Sequence, residues 1–173
     1  MQFNSISYTW NADGIKEEKK KDLKVTISPS PQLLVQNGML IRVVISPHQK
    51  LVELLKSTNP AIIIETFTGI ALIDTGATYT CFDKEIAEKL GLVTTGTGKT
   101  STANGPAEIN TYPVSLTFPD LPGFSFHNSK MGAVNLNCKL DGQDPFVILI
   151  GRDLLSLGSF HYNGITGSFS FSI

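Results

Sequence analysis

The tetrapeptide Asp74-Thr75-Gly76-Ala77 follows directly on the apolar run Ala71-Leu72-Ile73, and it occurs once in the chain. A carboxylate delivered by a buried strand into a glycine turn is costly unless it is paired, hydrogen-bonded or put to use. Read as a structural residue, Asp74 could simply hold a turn by bonding to backbone amides two residues on. Three residues alone do not decide between these readings. A second stretch repeats the outline: Val147-Ile148-Leu149-Ile150 reads as an apolar strand, Gly151 follows, and Arg152-Asp153-Leu154-Leu155 begins a short helix.

The 173 residues suggest one domain with a core of its own. Hydrophobic content of 41% and charged content of 17% are ordinary for a globular protein. A net charge of -1 gives no reason to expect a nucleic-acid groove or an anionic membrane surface as partner. The mixed-sign cluster at residues 16–22 reads as a solvated arm rather than a phosphate-binding patch. The N-terminus lacks the basic-then-apolar pattern of a signal peptide, and the longest apolar run, residues 146–150, is too short to span a bilayer. Cys81 and Cys138 do not make a disulfide framework, and each is expected to be a small core residue. The expectation is a cytoplasmic protein.

Residues 1–31 are polar, weakly periodic and end in Ser28-Pro29-Ser30-Pro31; they are expected to form a partly ordered N-terminal extension, with the folded domain at 32–173. Residues 32–46 predict a hairpin about Asn37-Gly38, the dipeptide that favours a tight turn. Leu51, Leu54 and Leu55 have helical spacing and precede Asn59-Pro60, which predicts a short helix. Ile62-Ile63-Ile64 and Ile70-Ala71-Leu72-Ile73 read as two β-branched runs separated by Gly69. A helix is expected over 83–90, with Asp83 as N-cap and Gly91 just past its end. Residues 100–112 contain a second Asn-Gly, at Asn104-Gly105, between polar threonine-rich arms, and predict a projecting hairpin. Residues 114–118 alternate as a half-buried strand, and 165–173 form a last one with Phe169 and Phe171 against serines. The whole is expected to be mostly β with two or three short helices.

Together, Ala71-Leu72-Ile73-Asp74-Thr75-Gly76-Ala77 and Ile148-Leu149-Ile150-Gly151-Arg152-Asp153-Leu154-Leu155 resemble the retropepsin-like aspartic proteases, a group that includes the retroviral proteases and bacterial relatives. The resemblance runs over residues 40–173, and two motifs in the right order are far more specific than either alone. It implies a closed β-barrel acid-protease fold. Asp74 would be the catalytic carboxylate, Thr75 would hydrogen-bond across to a partner's equivalent loop, and Gly76 would let its amide approach the carboxylate. The 100–112 hairpin corresponds to the flap over the substrate, with Ala103, Asn104 and Gly105 at its tip. Gly151, Arg152 and Asp153 would support the dimer and the core. Neither a cofactor nor a metal is implied.

Peptide hydrolysis by this route needs one carboxylate to activate water and another to protonate the carbonyl oxygen and the leaving amine. Two carboxylates about 3 Å apart share a proton and titrate as a pair. One Asp-Thr-Gly per chain therefore implies a homodimer with its two-fold axis through the site, acting on a peptide or protein substrate. Asp153 follows a glycine and an arginine rather than preceding Thr-Gly, and is rejected as an internal second carboxylate. Ala77 stands where pepsin-type enzymes place a hydroxyl residue, so the expected activity optimum is mildly rather than strongly acidic. The alternative is a catalytically silent dimerisation or peptide-binding module on the same fold.

Three other features carry weaker signals. Gly96-Thr97-Gly98-Lys99-Thr100 has the tail of a phosphate-binding loop, but Val93 stands where its first glycine belongs, so a flexible approach to the flap is expected instead. His48, His127 and His161 lack metal-ligand spacing. Cys81 has no histidine in a partner motif, which favours packing over nucleophilic chemistry.

Overall fold

The computed structural model describes residues 5–11, 14–15, 31–102, 105–136 and 146–173. Two arrays of strands account for most of it. The larger contains β3 (Met39–Pro47), β4 (Phe67–Ile73), β5 (Cys81–Asp83), β6 (Gly96–Thr102), β7 (Gly105–Thr117), β8 (Ser125–Val134) and β9 (Phe146–Ile150). Their order is β3-β4-β9-β5-β8-β7-β6, and β3 also pairs with β7. That extra pairing closes six of the strands into a barrel, leaving β6 outside the ring as the outer arm of a hairpin. The smaller array orders β10 (Ser159–Asn163), β11 (Ser168–Ser172), β1 (Ser5–Asn11) and β2 (Gly14–Ile15). The mostly β architecture and closed barrel expected from the sequence are what the chain adopts, with four short helices among the described residues.

The barrel fills itself through strand alternation. Val43 and Ile45 of β3, Val114 and Leu116 of β7, and Ile148 of β9 are fully buried, and Phe82 of β5 joins them at 0% exposure. Each such side chain contributes roughly 1.5–3 kcal/mol relative to leaving it in water. Phe169 and Phe171 of β11 enter the same cluster, so the last strand packs on the core as the alternation with serine predicts. Within the span read as an N-terminal extension, β1 pairs with β11 from Ser5 opposite Ser172 to Thr9 opposite Ser168, and its last two residues pair with β2.

Two sequence expectations are corrected. The predicted hairpin about Asn37-Gly38 is instead a helix, α1 (Pro31–Asn37), running into β3. Pro31 suits the first helical position, Leu34 buries to 3% exposure, and Gly38 at φ 74 accepts the left-handed turn that ends the helix, donating its N–H to Leu34 O at 3.0 Å. The Asn-Gly pair is a helix terminus, and Leu34 reaches the core from α1 rather than from a strand. The run Ile62-Ile63-Ile64 is not a strand: Ile63 is 88% exposed, and Ile62 N–H turns back to Asn59 O. Nor does Gly69 separate two runs, since β4 passes through it in register with Val43.

The expected short helices hold. Helix α2 (Gln49–Thr58) spans Leu51, Leu54 and Leu55. In α3 (Lys84–Lys89), Asp83 accepts from Glu85 N–H, and Gly91 sits just past the end at φ 58. Helix α4 (Arg152–Leu155) follows Gly151. The second hairpin is longer than expected, with Gly96 opposite Thr111 and Thr102 opposite Gly105. Gly96 to Thr100 is therefore regular strand, not the flexible approach expected, and its extended backbone cannot wrap a phosphate.

Candidate active site

The site begins with the parallel pairing of β4 and β9, which sets Ala71 opposite Ile148, Leu72 opposite Leu149 and Ile73 opposite Ile150. Both strands therefore end at the same edge of the barrel. Asp74 follows one end and Gly151 the other, and Asp74 N–H donates to Ile150 O at 2.9 Å. Two motifs about 75 residues apart in sequence become neighbours through one strand pair.

Past that point the chain forms an exposed loop. Asp74 is half-buried, Thr75 and Gly76 are exposed, and Tyr79 stands 72% exposed. Asp74 Oδ1 accepts from Gly76 N–H at 2.8 Å and from Ala77 N–H at 3.3 Å. A Cβ on Gly76 would lie 3.0 Å from that same oxygen, so glycine allows the amide its close approach. Among the described residues, none donates to Asp74 Oδ2, which leaves an acceptor at the loop surface.

Arg152 fixes the loop from outside. Its Nη1 donates to Thr75 O at 2.8 Å and Gly76 O at 3.0 Å, and its Nη2 to Thr78 Oγ1 at 2.9 Å. These two carbonyls belong to the peptide planes that carry the Gly76 and Ala77 N–H groups. Because a trans peptide points its C=O and N–H in opposite directions, holding the carbonyls aims both amides at Asp74. The backbone adds two ties, Arg152 N–H to Ala77 O at 3.0 Å and Asp153 N–H to Thr78 O at 3.2 Å.

Asp153 is committed elsewhere. Its Oδ1 accepts from Thr80 N–H at 2.8 Å, Thr80 Oγ1–H at 2.7 Å and Leu154 N–H at 2.9 Å. Thr80, only 1% exposed, completes the knot by accepting Gly151 N–H at 3.1 Å. A Cβ on Gly151 would fall 2.5 Å from the carbonyl carbon of Tyr79, so only glycine lets the two motifs close up. Behind the loop, burial first and then the charges of Asp153 and Asp74 push the Cys81 thiol up to about 11. A thiol so reluctant to ionise is a poor nucleophile, consistent with its expected packing role.

The structure thus brings Asp74, Thr75, Gly76 and Ala77 together with Gly151, Arg152 and Asp153. Of the expected hairpin tip, Gly105 heads β7, while Ala103 and Asn104 lie outside the described residues. Thr78 and Thr80 escaped the sequence reading. No local pattern marks either, since Thr80 meets its partners only across the two motifs. Among the described residues there is no group of three or more His, Cys, Asp or Glu side chains able to hold a metal, and no helix long and apolar enough to cross a membrane.

The family model described as aspartyl protease matches residues 63–154, from before β4 to within α4. Among solved structures, the chain is similar to a retropepsin-like aspartic protease from Rickettsia conorii, with 19% identity, 99% of this chain and 92% of that chain covered, and a TM-score of 0.44. The search of curated proteins gave no match.

Proposed function

Because the chain belongs to the aspartyl protease family, we propose that it is an endopeptidase whose working form is a homodimer, with Asp74 of each copy flanking one water. The observation that carries this reading is the presentation of Asp74: one carboxylate per chain, at the surface of a loop, with Oδ1 held by two amides and Oδ2 open. In the catalytic step one carboxylate takes a proton from the water as it attacks the peptide carbonyl. The other, protonated, gives its proton to the carbonyl oxygen, and a proton then passes to the leaving amine. A shared proton between two adjacent carboxylates supplies both states at once.

Each remaining group has a supporting role in this scheme. The exposed Thr75 is available to bond with the partner's loop, and Gly76 and Ala77 keep Asp74 in a fixed rotamer. Arg152 positions the amides, and Gly151, Thr80 and Asp153 lock the loop to the barrel. Asp153, with three donors on one oxygen, is occupied as a structural acceptor and does not serve as the second catalytic carboxylate. The β6–β7 hairpin would cover an extended peptide, whose backbone would bond in strand fashion while its side chains set preference.

Asp74→Asn keeps the shape and removes the ionisable group. Cleavage of a peptide library should fall by about a thousandfold or more, as for other groups that act as a unit. Sedimentation should still give the dimer. Cleavage at the wild-type rate by the variant would end the proposal.

A further inference from the structure

On the outer wall of the barrel, the start of α2 is held by a cluster the catalytic reading does not use. Ser115 lies on β7 between Val114 and Leu116, both core residues, so strand alternation turns it outward. It is nevertheless only 3% exposed. Its Oγ accepts Gln49 N–H at 2.9 Å and lies 2.7 Å from Nδ1 of His127, its direct cross-strand neighbour on β8. Next to it, His48 caps α2: its Nδ1 accepts Lys50 N–H at 3.2 Å, and its own N–H donates to Pro113 O at 3.1 Å. Pro113 sits in the irregularity of the β7–β8 ladder between Tyr112 and Val114. This is the root of the β6–β7 hairpin. The two imidazole centroids are 5.9 Å apart.

These polar contacts matter because α2 has little else to hold it. None of its residues is buried; Leu51 and Leu54 are 41% and 63% exposed. For a nitrogen to accept a hydrogen bond it must carry a lone pair, so the His48 cap exists only while Nδ1 is unprotonated. A proton there removes the cap and sets a positive charge at the positive end of the helix dipole.

We propose that His48, Ser115 and His127 form an acid-released latch, which docks α2 on the root of the hairpin while His48 is neutral and frees it when His48 is protonated. The charges acting on His48 are His127 from β8 and Lys50 and Glu53 from α2; the neighbouring Ser46 and Pro47 of β3 and Val114 and Ser115 of β7 carry none. Burial lowers its affinity for a proton below the ordinary value of 6.5, His127 and Lys50 lower it further, and Glu53 opposes them. The released helix therefore binds the proton more tightly than the docked one. Docking is fully favoured above about pH 6.5 and is lost as the pH falls through the lowered value of the docked state.

Hydrogen exchange of the α2 amides at residues 52–58 reads the latch directly, independently of any protease activity. Corrected for intrinsic exchange, their protection should fall several-fold between about pH 7.5 and about pH 5, by at most about tenfold per pH unit for one proton. The amides of β9 should hold steady. His48→Asn keeps a capping oxygen and loses the titration, so its α2 protection should stay flat over the same interval. Within the wild-type chain, the nitrogen-15 shift of His48 Nδ1 should change over the same interval as the protection. Flat protection in the wild type, an equal fall in His48→Asn, or a nitrogen titration that does not track the protection would each overturn the latch.

Discussion

Arg152 shows how one exposed side chain can hold a carboxylate it never touches. Its guanidinium holds the outer faces of two peptide planes whose inner faces hold Asp74. Removing it leaves the carboxylate in place but lets both planes rock, and small misplacements of a reacting group are expensive in rate. Arg152→Met should lower kcat by about 10- to 100-fold, with KM and the denaturation midpoint moving far less. Arg152→Lys should recover little, since a single ammonium cannot reproduce the fork that spans Thr75 O, Gly76 O and Thr78 Oγ1. Steady-state kinetics on the two variants check this; an unchanged kcat in Arg152→Met would show that the loop keeps its shape without help. Arg152 was legible in the sequence through the family resemblance of Ile150-Gly151-Arg152-Asp153, which implied a supporting role for it. Thr80 was not. Its partners, Asp153 and Gly151, are more than 70 residues away and reach it only through the parallel pairing of β4 and β9, a tertiary choice with no local pattern.

At the scale of elements, local signals succeeded where the chemistry was self-contained and failed where a neighbour decided the outcome. Helix α3 carries its start in Asp83 and its stop in Gly91, and both act within a few residues. The Asn37-Gly38 pair has two legitimate uses, and burial of Leu34 in the core goes with the helix terminus rather than the hairpin. Likewise the β-branched Ile62-Ile63-Ile64 had no strand edge to join, because β4 takes its place beside β3 only from Phe67 onward. Asp83 also does more than its sequence signal suggests. One oxygen caps α3 through Glu85 N–H at 2.9 Å, and the other accepts Leu136 N–H at 3.0 Å just beyond β8. Asp83→Ala therefore loses a cap and a tertiary acceptor together and should cost about 2 kcal/mol, the upper end for a cap. Asp83→Asn keeps one acceptor oxygen and should cost about half as much. Urea midpoints at constant slope would check both, and equal losses in the two variants would mean that only one of the bonds contributes.

At the scale of the whole molecule, the closed barrel explains why one chain presents a single Asp-Thr-Gly loop at this edge. The ring β3-β4-β9-β5-β8-β7 presents a single strand end followed by Asp-Thr-Gly, and the parallel neighbour β9 leads into Gly151 and then Asp153, whose Oδ1 is committed to Thr80 and Leu154. If the second carboxylate comes from a second copy, activity must follow the number of wild-type pairs rather than the number of wild-type chains. Mixing equal amounts of wild type and Asp74→Asn, with exchange allowed to equilibrate, turns half the wild-type chains into mixed pairs with one ionisable aspartate. Cleavage should then drop to about one half of that given by the wild type alone at the same wild-type concentration. A ninefold excess of the variant should leave about one tenth, because nearly every wild-type chain is then paired with an inactive partner. A chain that works alone would be indifferent to the added variant, so activity that stays constant through the titration would rule out the shared site. Dilution of the wild type supplies the complementary reading, since specific activity should fall once pairs dissociate and stay level if they do not need to form.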